Sequence, residues 1–293
     1  TMFESWMQYI NLGWIYYVFW TVYFATVITI IGVIISENRN PVKSLAWVTV
    51  LFLLPIVGIV LYLFFGRSIK NTRMISRRNR RRLKRKERAA PVRIRHLDLS
   101  TESRQQIYLA RSLTGAHVYV GNEVEIFGDG ASKFESLKRD LRAATSYIHM
   151  QYYIFEDDTI GCEIRDILIE RARAGVAVRL IYDHVGSFKV RRSFFREMKE
   201  AGILAYPFFK VSFPPFGTRI NWRNHRKIVV IDGRVGYIGG MNIADRYIDG
   251  GKFGCWRDTH LRVTGSVVSS LQYSFAVDWH FMGQPLIADD PAG

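Results

Sequence analysis

The sequence predicts an α/β domain, a mixed, parallel-rich sheet flanked by helices, preceded by two transmembrane helices. Three observations predict it. Two runs near the N-terminus, residues 5–36 and 44–66, carry no charged side chain. A dense basic segment follows them directly. From Leu97 onward, short β-branched apolar runs alternate with stretches of helical period.

The first run includes Trp14 and Trp20 and has few helix breakers. It is long enough to cross a bilayer as a tilted helix, for which about 20 residues suffice. A cleaved signal peptide fits less well, because the run is too long, lacks a basic start and is followed by no small-residue cleavage site. The second run contains Pro55 and Gly58, which a membrane helix tolerates better than a soluble one; a buried soluble hairpin is the competing reading. Of the chain's 41 Lys and Arg, 14 fall in residues 67–95. Residues 1–96 hold 16 basic and 3 acidic side chains, while residues 97–293 hold 25 and 23, so the basic excess belongs to one segment. The positive-inside rule puts that segment in the cytoplasm, the N-terminus with it and the loop at 38–43 outside. Its place beside an apolar span favours anionic lipid headgroups over nucleic acid, and no nucleic-acid partner is expected. Much of this stretch is expected to lack a fixed structure off the membrane. The organisation is thus residues 1–66 as two spans, 67–96 as a basic linker and 97–293 as one globular domain. Two cysteines, Cys162 and Cys255, form no disulfide framework and no metal spacing.

Within the domain, Thr101 to Leu113 reads as a capped amphipathic helix, Val118 to Phe127 as a strand, and Ser132 to Ala144 as a helix. Tyr147 to Phe155 is a strong strand. Gly161 to Ala174 is helical and stops at Gly175. Val176 to Tyr182 is a buried strand, Val190 to Ala201 a helix, and Ile203 to Phe208 a strand. Residues 211–224 form a loop by their prolines and glycine. Trp256 to Val263 closes the strands, with Asp258 and His260 on one face, and Val267 to Met282 closes the chain as a helix.

The stretch around which the rest is organised is residues 222–242. Ile228 to Ile231, Asp232-Gly233 and Val235 to Ile238 read as a β-hairpin. His225 and Lys227, two apart, share a strand face. Gly239 and Gly240 let backbone approach a bound group, and Asn242 follows them. An imidazole, an ammonium and a carboxamide that converge suit a phosphate.

His225, Lys227 and Asp232, with Gly239, Gly240 and Asn242, resemble the HxKxxxxD motif of the phospholipase D superfamily. Asn242 lies 17 residues after His225. The two N-terminal spans, the basic linker, the runs from His149 and from Gly175, and Trp256-Arg-Asp-Thr-His260 are similar to the bacterial cardiolipin synthases. The resemblance implies a plasma-membrane, multi-pass enzyme that joins two phosphatidylglycerols to cardiolipin and glycerol, with no cofactor and no metal. It makes His225 the nucleophile, Asp258 the carboxylate that orients it, and Lys227 and Asn242 the groups that hold the phosphoryl oxygens. Asp232, Gly239 and Gly240 are structural. Arg219, Arg223, Arg257 and His260 are weaker candidates for headgroup or phosphate contact. The family's chemistry needs a second such motif as general acid, and this chain holds one. Either the chain is the first half of a longer protein, the favoured expectation, or two copies pair. A phospholipase D hydrolase, a nuclease of the superfamily and a catalytically silent lipid-binding scaffold are the alternatives.

Overall fold

The computed structural model describes residues 12–37, 41–62, 74–85, 97–115, 117–208, 210, 223–250, 254 and 256–287. The chain divides into two compact units. The first holds helix α1 (Leu12–Glu37), α2 (Pro41–Leu53) and α3 (Pro55–Leu61). In α1, Trp14–Gly32 has a mean hydropathy of 1.7 and most of its side chains are exposed; it is the one described helix long and apolar enough to cross a membrane. The second apolar run is interrupted at Leu54 (φ −129°, ψ 72°), and Pro55 opens α3, where its missing N–H leaves no bond unmade. Ile30, Ile34, Leu51 and Tyr62 form the buried cluster of this unit. Gly58 is required there, because a Cβ would lie 2.9 Å from the Val50 carbonyl oxygen.

The second unit begins with helix α4 (Arg77–Arg85) and α5 (Thr101–Thr114). Among the described residues, the basic segment holds one fixed element, a nine-residue helix. Ser76 Oγ accepts from the Asn79 N–H at 3.2 Å and caps α4, and Leu83, 7% exposed, buries itself in the core. One hydrophobic residue among the arginines is enough to dock the helix.

Seven strands follow, interleaved with helices: β1 (Glu123–Phe127), α6 (Gly130–Arg142), β2 (Tyr147–Tyr152), α7 (Thr159–Arg173), β3 (Ala177–Asp183), α8 (Arg192–Glu200), β4 (Leu204–Phe208), β5 (Ile228–Ile231), β6 (Val235–Gly239), β7 (His260–Thr264) and α9 (Val268–Phe281). The sheet order is β1-β7-β6-β5-β2-β3-β4. Among the seven strands, β2, β3 and β4 pair in parallel, where helical crossovers demand it. The other four pairs are antiparallel.

Strand alternation divides the core. Ile148 and Met150 of β2, Leu180 of β3 and Val229 of β5 face α6, α7 and α8. Tyr147, Ile228, Val230 and Val263 face Val268 and Leu271 of α9. Ile181 and Phe208 meet Phe275 and Trp279 of α9 together with Leu83 of α4.

The β5–β6 turn is tight, with Asp232 (φ 52°) and Gly233 (φ 65°) both left-handed. Such backbone favours Asp and Gly. The Asp232 carboxylate accepts from the Thr145, Ser146 and Tyr147 N–H groups at 2.8 Å each and from Thr145 Oγ1 at 3.0 Å. It thereby ties the hairpin to the start of β2. Burial acts to raise the Asp232 pKa, but these donors outweigh it and hold the group below 3.8. Its contribution is therefore complete above the usual carboxylate range and is lost as pH falls through the lowered folded value. Asp232→Ala is expected to cost about 3 kcal/mol in urea denaturation at pH 7, since bonds to a charged acceptor are worth roughly 1.5–3 kcal/mol each. The difference between wild type and Asp232→Asn should shrink as the pH of the measurement is lowered to about 3.

Candidate active site

His225 and Lys227 are not within the strand, as the sequence suggested. β5 begins at Ile228, and residues 223–227 lead into it without ladder partners. What fixes this lead-in is side-chain chemistry on both sides of it. The Asn224 N–H donates to Asp183 Oδ2 at 3.1 Å, and Asn224 Nδ2 donates to Asp278 Oδ2 at 2.8 Å. The Arg226 N–H closes a local turn onto Asn224 Oδ1 at 3.1 Å. Asp278 Oδ2 also accepts from Gln151 Nε2 at 2.7 Å and from Arg226 Nη1. Asp183, fully buried at the end of β3, uses its other oxygen to accept from the Val185 and Gly186 N–H groups at 3.0 and 2.9 Å.

On the opposite side of the lead-in, the His225 ring is solvent-exposed and stacks on Tyr153, with centroids 3.8 Å apart. Lys227 is 7% exposed. Its Nζ donates to the His225 carbonyl oxygen at 2.8 Å and lies 5.4 Å from the Tyr153 ring centroid. An ammonium has three donors, so two remain for a ligand. Burial lowers the His225 pKa from 6.5, the Lys227 charge adds to this, and Asp183 opposes it. The imidazole is therefore the neutral, nucleophilic form at neutral pH. Burial likewise lowers the Lys227 pKa, against which the Asp258 carboxylate acts.

The glycine pair is explained by close approach. A Cβ on Gly240 would lie 2.0 Å from Asp258 Oδ1, and one on Gly239 would lie 2.6 Å from the Thr259 carbonyl oxygen. The Gly240 N–H donates to that same oxygen at 2.8 Å. Asp258 is half-buried and its Oδ1 accepts from the Thr259 N–H at 2.7 Å. β7 starts at His260, so Asp258 precedes the strand and the expected alternation between the two does not apply. His260 is fully buried with no hydrogen-bond partner at either ring nitrogen. Burial first, then the charges of Lys133 and Lys227, press its pKa to about 2. So buried, it has no route to a headgroup. Asn242 is 5% exposed; its Oδ1 accepts from the Ile154 N–H at 3.1 Å and its Nδ2 donates to Tyr247 Oη at 2.8 Å. One Nδ2 hydrogen remains. Arg223 is half-buried and Arg257 exposed; Arg219 and Cys255 lie outside the described residues.

Sequence reasoning passed over Asp183, Asn224, Asp278 and Tyr153. A signal for Asp278 was present, because it sits at the core-facing spacing of Leu271 and Phe275, where an acidic residue needs a polar partner. Among the described residues no group of three or more His, Cys, Asp or Glu side chains could hold a metal ion.

A seven-stranded mixed sheet with an exposed neutral imidazole and a buried ammonium at one strand entrance defines a phospholipase D-like protein. A family model described as the PLD-like domain of cardiolipin synthase matches residues 137–252, and one described as the N-terminal region of phospholipase D-nucleases matches residues 23–67. The chain is 41% identical over 267 residues to cardiolipin synthase 2 of Bacillus cereus, covering 88% of this chain and 51% of that one. It is 39% identical over 283 residues to the cardiolipin synthase of Halalkalibacterium halodurans, covering 94% and 56%. With the major cardiolipin synthase of Bacillus subtilis it shares 38% over 258 residues, covering 85% and 53%. The chain belongs to the phospholipase D-like family of the cardiolipin synthases, and it spans about half the length of these curated relatives.

Asp278→Ala is expected to destabilise the fold by roughly 3 kcal/mol, because it leaves the Arg226 charge and two carboxamides without their acceptor. Asp278→Asn should cost less. Chemical denaturation followed by tryptophan fluorescence measures both.

Proposed function

We propose that this chain carries the nucleophile-bearing part of a transphosphatidylation site that makes cardiolipin from two phosphatidylglycerols. The observation that carries the reading is the pairing of an exposed, neutral His225 with a buried Lys227 ammonium at the same strand entrance, in a chain about 40% identical to cardiolipin synthases.

In the proposed reaction, the unprotonated nitrogen of His225 attacks the phosphorus of one phosphatidylglycerol. The bond from phosphorus to the glycerol oxygen breaks, and the departing oxygen takes a proton from a general acid outside this motif. That acid comes from a second half-site, either in a further stretch of the same polypeptide or in another copy. The terminal hydroxyl of a second phosphatidylglycerol then attacks the phosphatidyl-histidine. It gives up its proton to the same group, forms cardiolipin and restores His225. Lys227 and the remaining Asn242 N–H stabilise the equatorial oxygens as charge builds on them. Asp258 sits beside Gly240 and its charge opposes the lowering of the Lys227 pKa by burial, which supports a role in holding the phosphate site as well as the orienting role that the family resemblance implies. Arg223 and Arg257 contribute positive charge toward an anionic substrate.

Residues 1–66 are proposed to anchor the enzyme in the plasma membrane by two spans, with residues 67–96 as the basic linker and 97–293 as the catalytic domain on the cytoplasmic side. The support is the apolar α1, the second apolar run and the 14 Lys and Arg in residues 67–95.

The intact protein in phosphatidylglycerol vesicles is expected to release glycerol and cardiolipin in equal amounts. His225→Ala should lower the rate by at least about 1,000-fold, in the range of an essential nucleophile, and should abolish an acid-labile phosphoryl adduct at that position. Phosphatidic acid as the main product would turn the assignment to a hydrolase, and an adduct that survives His225→Ala would overturn the nucleophile. The acid limb of the rate should lie below pH 6.5, because only the neutral imidazole attacks and the His225 pKa is lowered. NMR titration of the His225 ring should show its pKa rise in Lys227→Met, where the neighbouring charge is gone.

A further inference from the structure

A cavity of about 410 Å³ opens on the α9 face of the sheet, away from the His225 side of the lead-in. Pockets of roughly 300–1,000 Å³ hold small ligands. Arg77 and Arg80 of α4 line it on one wall and Arg226 on another, with Met74, Ile75 and Val277 as apolar lining. The wall is built and held in place. Leu83 anchors α4 in the core, Asn79 Nδ2 is 2.9 Å from His280 Nε2 of α9, and Arg226 is held by the buried Asp278. Arg77 and Arg80 are exposed, and among the described residues no carboxylate pairs with either. Three guanidinium groups around one cavity, with a single carboxylate already engaged behind Arg226, form a positive focus that an anion relieves.

The chemistry specifies the anion further. Planar guanidinium groups match phosphate oxygens in bidentate fashion. The apolar patch beside them suits a glycerol or acyl root and is of no use to a bare ion. The uncharged run that ends at Gly66 stops eight residues before Met74. With that run in a bilayer, tethering makes lipid headgroups the anions of highest local concentration. We infer that this cavity is a second, non-catalytic site for the phosphate headgroup of an anionic phospholipid, held by Arg77, Arg80 and Arg226. Because Arg226 stands between His225 and Lys227, a headgroup bound there engages the same guanidinium that positions the lead-in strand.

Binding rather than turnover tests the site, so its failure is separate from failure of the proposed activity. The probe is monomeric dihexanoyl phosphatidylglycerol, titrated calorimetrically into the full chain in uncharged detergent, in a Lys227→Met background that weakens the catalytic site. Arg77→Gln with Arg80→Gln should lower the affinity at least tenfold. Arg78→Gln with Arg81→Gln removes equal charge from the same helix and should change it less than twofold. Val277→Trp fills the cavity with every charge left in place and should also abolish binding; unchanged melting temperatures establish that each variant is folded. Equal losses in the two arginine pairs, or binding that survives Val277→Trp, would show diffuse electrostatic attraction and overturn the site. Displacement of the lipid by inorganic phosphate at equal concentration would overturn the headgroup in favour of a free phosphate.

Discussion

The Asp278 carboxylate is the interaction on which the placement of the site depends. It rises from α9 into the sheet and gathers Gln151 of β2, Asn224 and Arg226 onto a single oxygen. A buried carboxylate without donors carries a desolvation cost of several kcal/mol, so these three donors are bound as firmly by the cost of losing them as by the bonds themselves. The result is a lead-in segment fixed without a β ladder. His225 and Lys227 can then project beyond the last ladder pair of β5, where a strand with a paired neighbour would leave less room for a phosphodiester.

Asp183 and Asp232 extend the same device. Asp232 accepts three main-chain N–H groups from the start of β2, and Asp183 accepts the distant Asn224 N–H beside the local Val185 and Gly186 N–H groups. Asp232 sets the register between the hairpin and β2, and Asp183 sets the height of the lead-in above β3. The three carboxylates position main chain, and main chain positions the imidazole. The lead-in also separates the tasks: Asn224 and Arg226 turn to Asp278 of α9 and serve structure, while His225 and Lys227 meet Tyr153 and serve chemistry.

Most elements were legible in the sequence because their signals are local. The cap at Ser100, the Asp232-Gly233 turn and the β-branched run from Ile228 each carry their own physical cause, whereas the caps at Asp129 and Asp158 start their helices two residues before the sequence expectation. The site motif was legible for the same reason, since its residues lie within one hairpin and its flanks. What was not legible depends on contacts distant in sequence. Nothing local to Tyr147 says that β2 pairs with both β3 and β5, and nothing near His225 points to Asp278, 53 residues on. The strand assigned to Trp256 to Val263 starts late because Asp258 and Thr259 are occupied with the glycine pair, at distances that leave no room for side chains. The docking of α4 by Leu83 was hidden by the charge around it.

Behind Lys227 lies a polar group that the chemistry does not consume. Lys133 of α6 is fully buried, donates to Tyr152 Oη at 3.3 Å and has its Nζ 3.8 Å from the Phe134 ring centroid. Burial drives its pKa well below 10.5, just as burial keeps the adjacent His260 neutral. A neutral His260 adds no charge beside the Lys227 ammonium, so the Asp258 carboxylate acts on Lys227 without a cationic imidazole competing for it. The glycine pair makes both neighbours possible. A Cβ on Gly239 would lie 2.7 Å from His260 Nδ1, and one on Gly240 would lie 2.0 Å from Asp258 Oδ1. The glycine pair therefore bears on the electrostatics of the site as well as on its shape.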